Sequence, residues 1–187
     1  MDRDDLSRAL ARYAAEGPGE SEALERLRRF VAAPADPFAR DNPEGHVTGS
    51  AVVARPDGSA FLLVLHRKLS RWLQPGGHTE ESDASVFDAA LREAREETGI
   101  ADFATPLGRA ILDVDVHPIP ARGRDPRHLH FDVRYLLTSR SEANPAGSDD
   151  PTRPMRWSSF EEAASLGIDA SLERALTKAR RALSGQG

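Results

Sequence analysis

Three glutamates, Glu93, Glu96 and Glu97, fall within five residues of "REAREETGI" (Arg92 to Ile100), a spacing that puts all three on one side of a helix. The other side carries Phe87, Leu91, Ala94 and Thr98. Like charges at these spacings repel by a few tenths of a kcal/mol each in water, and the macrodipole disfavours anions toward a helix C-terminus. A compensating positive charge is therefore expected. Arg92 and Arg95 can supply part of it as surface partners, which would make this an ordinary amphipathic helix. Gly76-Gly77 precedes the helix, however, and lets backbone carbonyls approach a ligand closely. Carboxylate and carbonyl oxygens together suit a hard cation, Mg²⁺ or Mn²⁺, which would screen a polyphosphate and acidify a bound water. That is a site for phosphate chemistry.

The segment resembles the box of the Nudix hydrolases, G-x5-E-x7-R-E-U-x-E-E-x-G-U, where U is a bulky aliphatic residue. "REAREETGI" supplies the arginine, the three later glutamates, the glycine and the closing aliphatic residue. Gly77 lies one residue further from Arg92 than the pattern has it, Ala94 stands at an aliphatic position, and the first glutamate falls on Ala84 with Asp83 beside it. The resemblance implies that Glu96 and Glu97 bind the cation and that Glu93 joins them or deprotonates the attacking water. It further implies that Arg92 orients a glutamate and that the Gly77 carbonyl is another ligand. The reaction implied is water attack at a phosphorus of a diphosphate linkage, in a nucleoside diphosphate derivative or a related organic pyrophosphate. The substitution at Ala84 motivates an alternative, a catalytically weak binding or regulatory module on the same fold. A third reading, an isomerase resembling isopentenyl diphosphate isomerase, is disfavoured because that chemistry employs a cysteine and the chain has none.

A second cluster lies downstream. Period-two alternation puts Asp113, Asp115 and His117 of "ILDVDVH" on one strand face and His128, His130, Asp132 and Arg134 of "HLHFDVRY" on another. If the two strands pair, these groups form a substrate-facing wall or extra metal ligands; the alternative is a solvated face with Asp and Arg paired across strands. Arg67 and Trp72 precede the glycines and are candidates to face the same cleft, with Trp72 able to stack on a base. Arg122, Arg124 and Arg127 are candidates to clamp an anionic substrate tail from the loop between the strands.

The elements that must position these groups read as follows. Helices are expected over about Asp4–Ala15 and Ser21–Ala33, separated by "GPG" and followed by a proline-bearing linker. "HVTGSAVVAR" and "AFLLVLHR" read as an antiparallel pair joined at Pro56-Asp57-Gly58. "KLSRWLQPGG" reads as a loop, then a helix from about Ala84 to Thr98 stops at Gly99. A second hairpin, a short edge strand at "MRW" and a closing helix over Ser171–Leu183 complete the chain. This order predicts an α/β architecture, which the family resemblance makes an α/β/α sandwich on a mixed sheet. Residues 1–36 are expected to form a helical arm that covers the sheet or makes a homodimer contact, and 37–187 a catalytic domain. With 187 residues, 39 % of them hydrophobic and 29 % charged, the chain suits one domain with a substantial core. A net charge of −5 disfavours non-specific nucleic-acid or membrane binding. The polar N-terminus and absence of cysteine suggest a cytoplasmic protein.

Overall fold

The structure is a computed structural model and describes residues 1–67, 70–121, 123 and 126–185. Two helices, α1 (Arg3–Arg12) and α2 (Pro18–Ala32), lead into strand β1 (Gly45–Ala54). Then come β2 (Phe61–His66), β3 (Arg71–Leu73), β4 (Gly76–His78), helix α3 (Val86–Thr98), β5 (Asp113–Ile119), β6 (His128–Thr138), β7 (Met155–Ser158), α4 (Phe160–Ser165) and α5 (Ala170–Ser184). The two antiparallel pairs expected from alternation are present, β1 with β2 and β5 with β6.

One mixed sheet runs β3-β2-β1-β6-β5, and β1 and β6 pair in parallel over ten residues. The opposite edge of β1 is shared. Its C-terminal end pairs with β2, while Thr48, Gly49 and Ser50 pair with His78, Gly77 and Gly76 of β4. This fork carries the two glycines and His78 across the middle of the sheet, where the sequence suggested only a loop. Helix α4 is a further element that the alternation of residues did not announce; Ser159 and Glu162 close it with reciprocal side-chain bonds to the backbone.

Apolar residues pack on both faces of the sheet. Val47, Ala51, Val53, Phe131, Val133 and Tyr135 meet α1, α2 and α3 on one side. Val52, Phe61, Leu63 and Leu136 meet α4 and α5 on the other. The N-terminal helices are thus part of the main core: Phe30 of α2 stacks on Phe131 of β6 with ring centroids 3.9 Å apart. A buried polar knot adds to this attachment. Lys178 of α5 donates to Glu20 at 2.6 Å and to the Tyr13 hydroxyl at 2.5 Å, and Tyr13 also bonds Glu20. Helix α3 begins at Ser85, whose hydroxyl accepts from the Asp88 N–H, and ends at Gly99 with φ +66°. It lies so close to β1 that a Cβ on Gly49 would sit 2.7 Å from the Val86 carbonyl oxygen. Among the described residues no helix is long and apolar enough to cross a membrane.

Candidate functional site

Strand β4 runs between β1 and α3, and its two glycines are the reason it fits. A Cβ on Gly76 would lie 2.2 Å from the Ser50 hydroxyl, and one on Gly77 would lie 2.5 Å from the carboxylate of Glu93. The backbone therefore touches the acid side of α3 directly. The Gly76 N–H donates to Glu97 Oε2 at 3.1 Å. Gly77, Glu93, Glu96 and Glu97 come together here, as the spacing suggests.

Arg92 is the hub of this side of the helix. Its guanidinium donates to Glu93 (3.0 Å), Glu96 (2.8 Å), the His78 carbonyl (2.8 Å) and both oxygens of Asp83 (3.1 and 3.0 Å). Asp83, beside the Ala84 position, is buried and also accepts from the Glu80 N–H. Burial raises its pKa, but the bonds from Arg92 and Glu80 outweigh that and hold it below the usual carboxylate value. The acid is spent on Arg92 rather than turned toward a ligand.

Part of the charge crowding is relieved by the chain itself. Arg92 serves Glu93 and Glu96, and Arg153 pairs with Glu97. Arg153 belongs to a segment that wraps the end of α3, where Asn144 and Asp149 donate backbone N–H groups to the Thr98 and Glu96 carbonyls. Arg95, expected as a surface partner of the glutamates, instead reaches the Ala101 carbonyl. Relief is incomplete. Burial pushes Glu93 above its ordinary pKa despite Arg92, and burial does the same to Glu97 despite Arg153 and the Gly76 N–H. Two half-buried carboxylates that resist ionisation beside a glycine backbone are a donor set suited to a hard divalent cation.

The second cluster is split between two behaviours. Register aligns Asp113 with Arg134, Asp115 with Asp132, and His117 with His130. At one end, Arg134, 3 % exposed, bonds Asp113, Asp115 and Asp132, and Arg174 of α5 adds two bonds to Asp113. Cross-strand pairing of Asp and Arg is present, but buried rather than solvated, because α5 covers it. Asp132 accepts from Thr48 and Ser50 at 2.8 Å, from Gln74 at 3.3 Å and from Arg134 at 3.1 Å. It organises the floor beneath β4 and has no lone pair to spare for a substrate.

At the other end are imidazoles. His46 of β1 sits opposite His130 of β6, and its ring centroid is 4.8 Å from those of His78 and His130 and 5.0 Å from that of His128. His117 joins at 5.6 Å from His130 and is held by Asp115 at 3.0 Å. Burial lowers the pKa of His46 and His78 to about 4 and of His130 to about 2, and the neighbouring imidazoles act in the same direction. His117 is raised, because Asp115 and Asp132 overcome its burial. Sequence reasoning reached His117, His128 and His130 but passed over His46 and His78; the signal was "HVTGS" alternating toward the same face, and the histidine that ends "PGGH".

The other expected residues are elsewhere engaged. Arg67 bonds the Thr152 carbonyl, and Trp72 packs against the α5 side of the core. Of the clamp expected in the loop, Arg122 and Arg124 lie outside the described residues, and Arg127 is exposed.

Comparison with known proteins agrees with this architecture. A family model described as NUDIX domain matches residues 45–179. No curated protein matches the chain. Among solved structures, a possible asymmetric diadenosine tetraphosphate hydrolase from Jonesia denitrificans is 20 % identical, with a TM-score of 0.55 over 76 % of this chain and 95 % of that one. A MutT NUDIX hydrolase from Burkholderia pseudomallei is 22 % identical, with a TM-score of 0.53 over 74 % and 98 %. The NUDIX domain of Shewanella oneidensis NrtR, complexed with ADP ribose, is 18 % identical, with a TM-score of 0.50 over 88 % and 98 %. At these identities the likeness is one of fold.

Proposed function

The chain belongs to the Nudix family, and from that premise we propose that it hydrolyses a diphosphate linkage in a nucleoside diphosphate derivative or related organic pyrophosphate, with Mg²⁺ or Mn²⁺ as cofactor. The observation that carries this reading is the contact of Gly76 and Gly77 with the carboxylates of Glu97 and Glu93. A glycine backbone pressed against half-buried acids supplies oxygen donors of two kinds at one point.

Glu93, Glu96, Glu97 and the Gly77 carbonyl would hold the cation, with Arg92 fixing Glu93 and Glu96 in place. When bound, such an ion polarises a phosphoryl oxygen and lowers the pKa of a coordinated water. The chain's own residues do the rest. Glu93 Oε1 is engaged by Arg92, which leaves Oε2 either to join these ligands or to take a proton from the attacking water as the P–O bond forms. The leaving phosphate departs from the opposite side of phosphorus. Arg153, paired with Glu97, brings a positive charge to the acid side of α3, where it would meet a substrate phosphate.

The reading is tested by assaying nucleoside diphosphate sugars, dinucleoside polyphosphates, nucleoside triphosphates and ADP-ribose with Mg²⁺ or Mn²⁺, beside Glu97→Gln. Metal-dependent release of nucleotide or phosphate that Glu97→Gln loses by at least about 100-fold is the expected result. Tight binding of one compound without turnover would replace it with the ligand-sensing alternative.

A further inference from the structure

We propose that His46, His78 and His130 form a three-imidazole site for a borderline-soft divalent transition metal such as Zn²⁺, separate from the carboxylate site on α3. This stands whether or not the chain hydrolyses diphosphates, because it rests on different donors.

Three strands bring the rings together. His46 lies on β1, His130 directly opposite it on parallel β6, and His78 on β4, which pairs with the other edge of β1 two residues along. One nitrogen from each ring can be chosen such that all three lie within 4.8 Å of one another. A tetrahedral site with Zn–N of about 2.0–2.1 Å places nitrogens about 3.3 Å apart, so small rotations of the half-buried His78 and His130 rings complete it.

The surroundings point to a ligand. His46 is 2 % exposed, yet among the described residues neither of its ring nitrogens has a hydrogen-bond partner, and His130 Nε2 is likewise buried and unpartnered. Buried polar atoms without partners are rare in folded proteins, and the two rings that carry them here, His46 and His130, face each other with His78 beside them. Packing alone gives no return for that arrangement, whereas a metal ion would take one nitrogen from each of the three rings. The choice of metal follows from the donors. The nearby carboxylate of Asp132 is fully engaged by Thr48, Ser50, Gln74 and Arg134, which leaves nitrogen ligands that favour zinc-like ions over magnesium. His117 is committed to Asp115, while His128 stands 5.0 Å from His46 at the rim and can supply a fourth ligand or leave that position to water or a phosphate oxygen.

The test uses the full chain without a polyhistidine tag, stripped with chelator and titrated with Zn²⁺, or with Co²⁺ followed by its visible d–d absorption, in excess Mg²⁺ to fill the carboxylates. One saturable equivalent is expected in the unaltered chain and in Glu97→Gln, together with tetrahedral-type Co²⁺ bands and a rise in melting temperature with Zn²⁺. His130→Asn and His78→Asn, both at half-buried positions, should weaken that equivalent about 100-fold or more and abolish the bands. Absence of saturable binding overturns the proposal. So does binding that survives both histidine changes or disappears in Glu97→Gln, since either result places the ion on the glutamates.

Discussion

Asp83 grips the guanidinium of Arg92 with both oxygens, at 3.1 Å to Nε and 3.0 Å to Nη2, leaving Nη1 to face Glu93 and Glu96. The glutamate position of the family pattern is Ala84, and the acid beside it, Asp83, is the one that holds Arg92.

Asp83→Ala should free Arg92 to swing away from the glutamates. The expected cost is about 2–3 kcal/mol of stability, since a buried acid and two charge-assisted bonds are lost, together with a fall in turnover of at least about tenfold. Asp83→Glu should restore a substantial part of both. Thermal unfolding and steady-state kinetics of the two variants check this.

Gly77→Ala tests the approach of β4 to α3. The added methyl would sit 2.5 Å from the Glu93 carboxylate, the far end of a side chain that can turn aside. The fold should survive with a loss of less than about 2 kcal/mol, because the three atoms nearest the new methyl all belong to that movable side chain. Metal affinity, read by calorimetry with Mn²⁺, should fall by about tenfold or more.

Asp132→Ala has the opposite profile. This residue, 2 % exposed, neutralises Arg134 and accepts from Thr48, Ser50 and Gln74. Removing it leaves a buried guanidinium short of a partner, at an expected cost of about 3–5 kcal/mol. Denaturant unfolding should show a large loss of stability. A stable Asp132→Ala protein with reduced substrate affinity alone would instead make Asp132 a substrate ligand.

Glu20 gives a pH signature. Burial raises its pKa, but Lys178, Tyr13 and the Glu16 N–H overcome this and lower it from 4.5 to about 2. A carboxylate depressed in the folded state contributes stability that is fully present above its unfolded pKa near 4.5 and disappears as pH falls toward about 2. The amount is on the order of 3 kcal/mol. Stability curves over roughly pH 6 to pH 2 should therefore be flatter for Glu20→Gln than for the unaltered chain.

How far these features could be read in the sequence depends on the range of the interactions that make them. Helix α3 was legible from the spacing of its apolar residues and from Gly99; the expected start at about Ala84 moved to Val86 because Ser85 is the cap. The acid side of that helix was legible for the same local reason. Strand β4 was not, since three residues of Gly-Gly-His carry no strand signal and become a strand only by pairing with Thr48, Gly49 and Ser50. His46 and Arg153 were missed on similar grounds. One acquires its neighbours through the parallel β1–β6 pairing, and the other reaches Glu97 from a loop far along the chain. Alternation did place His117, His130, Asp115 and Asp132 on one face, but it could not say which end α5 would bury.

The anchoring of the first two helices sets a practical boundary for anyone shortening this protein. The family match starts at residue 45, and a fragment cut there would uncover Phe131 and strip Lys178 of Glu20 and Tyr13. Such a fragment would carry every residue of the acid helix and still present a greasy, miswired flank to solvent, so it should aggregate where the whole chain stays monodisperse.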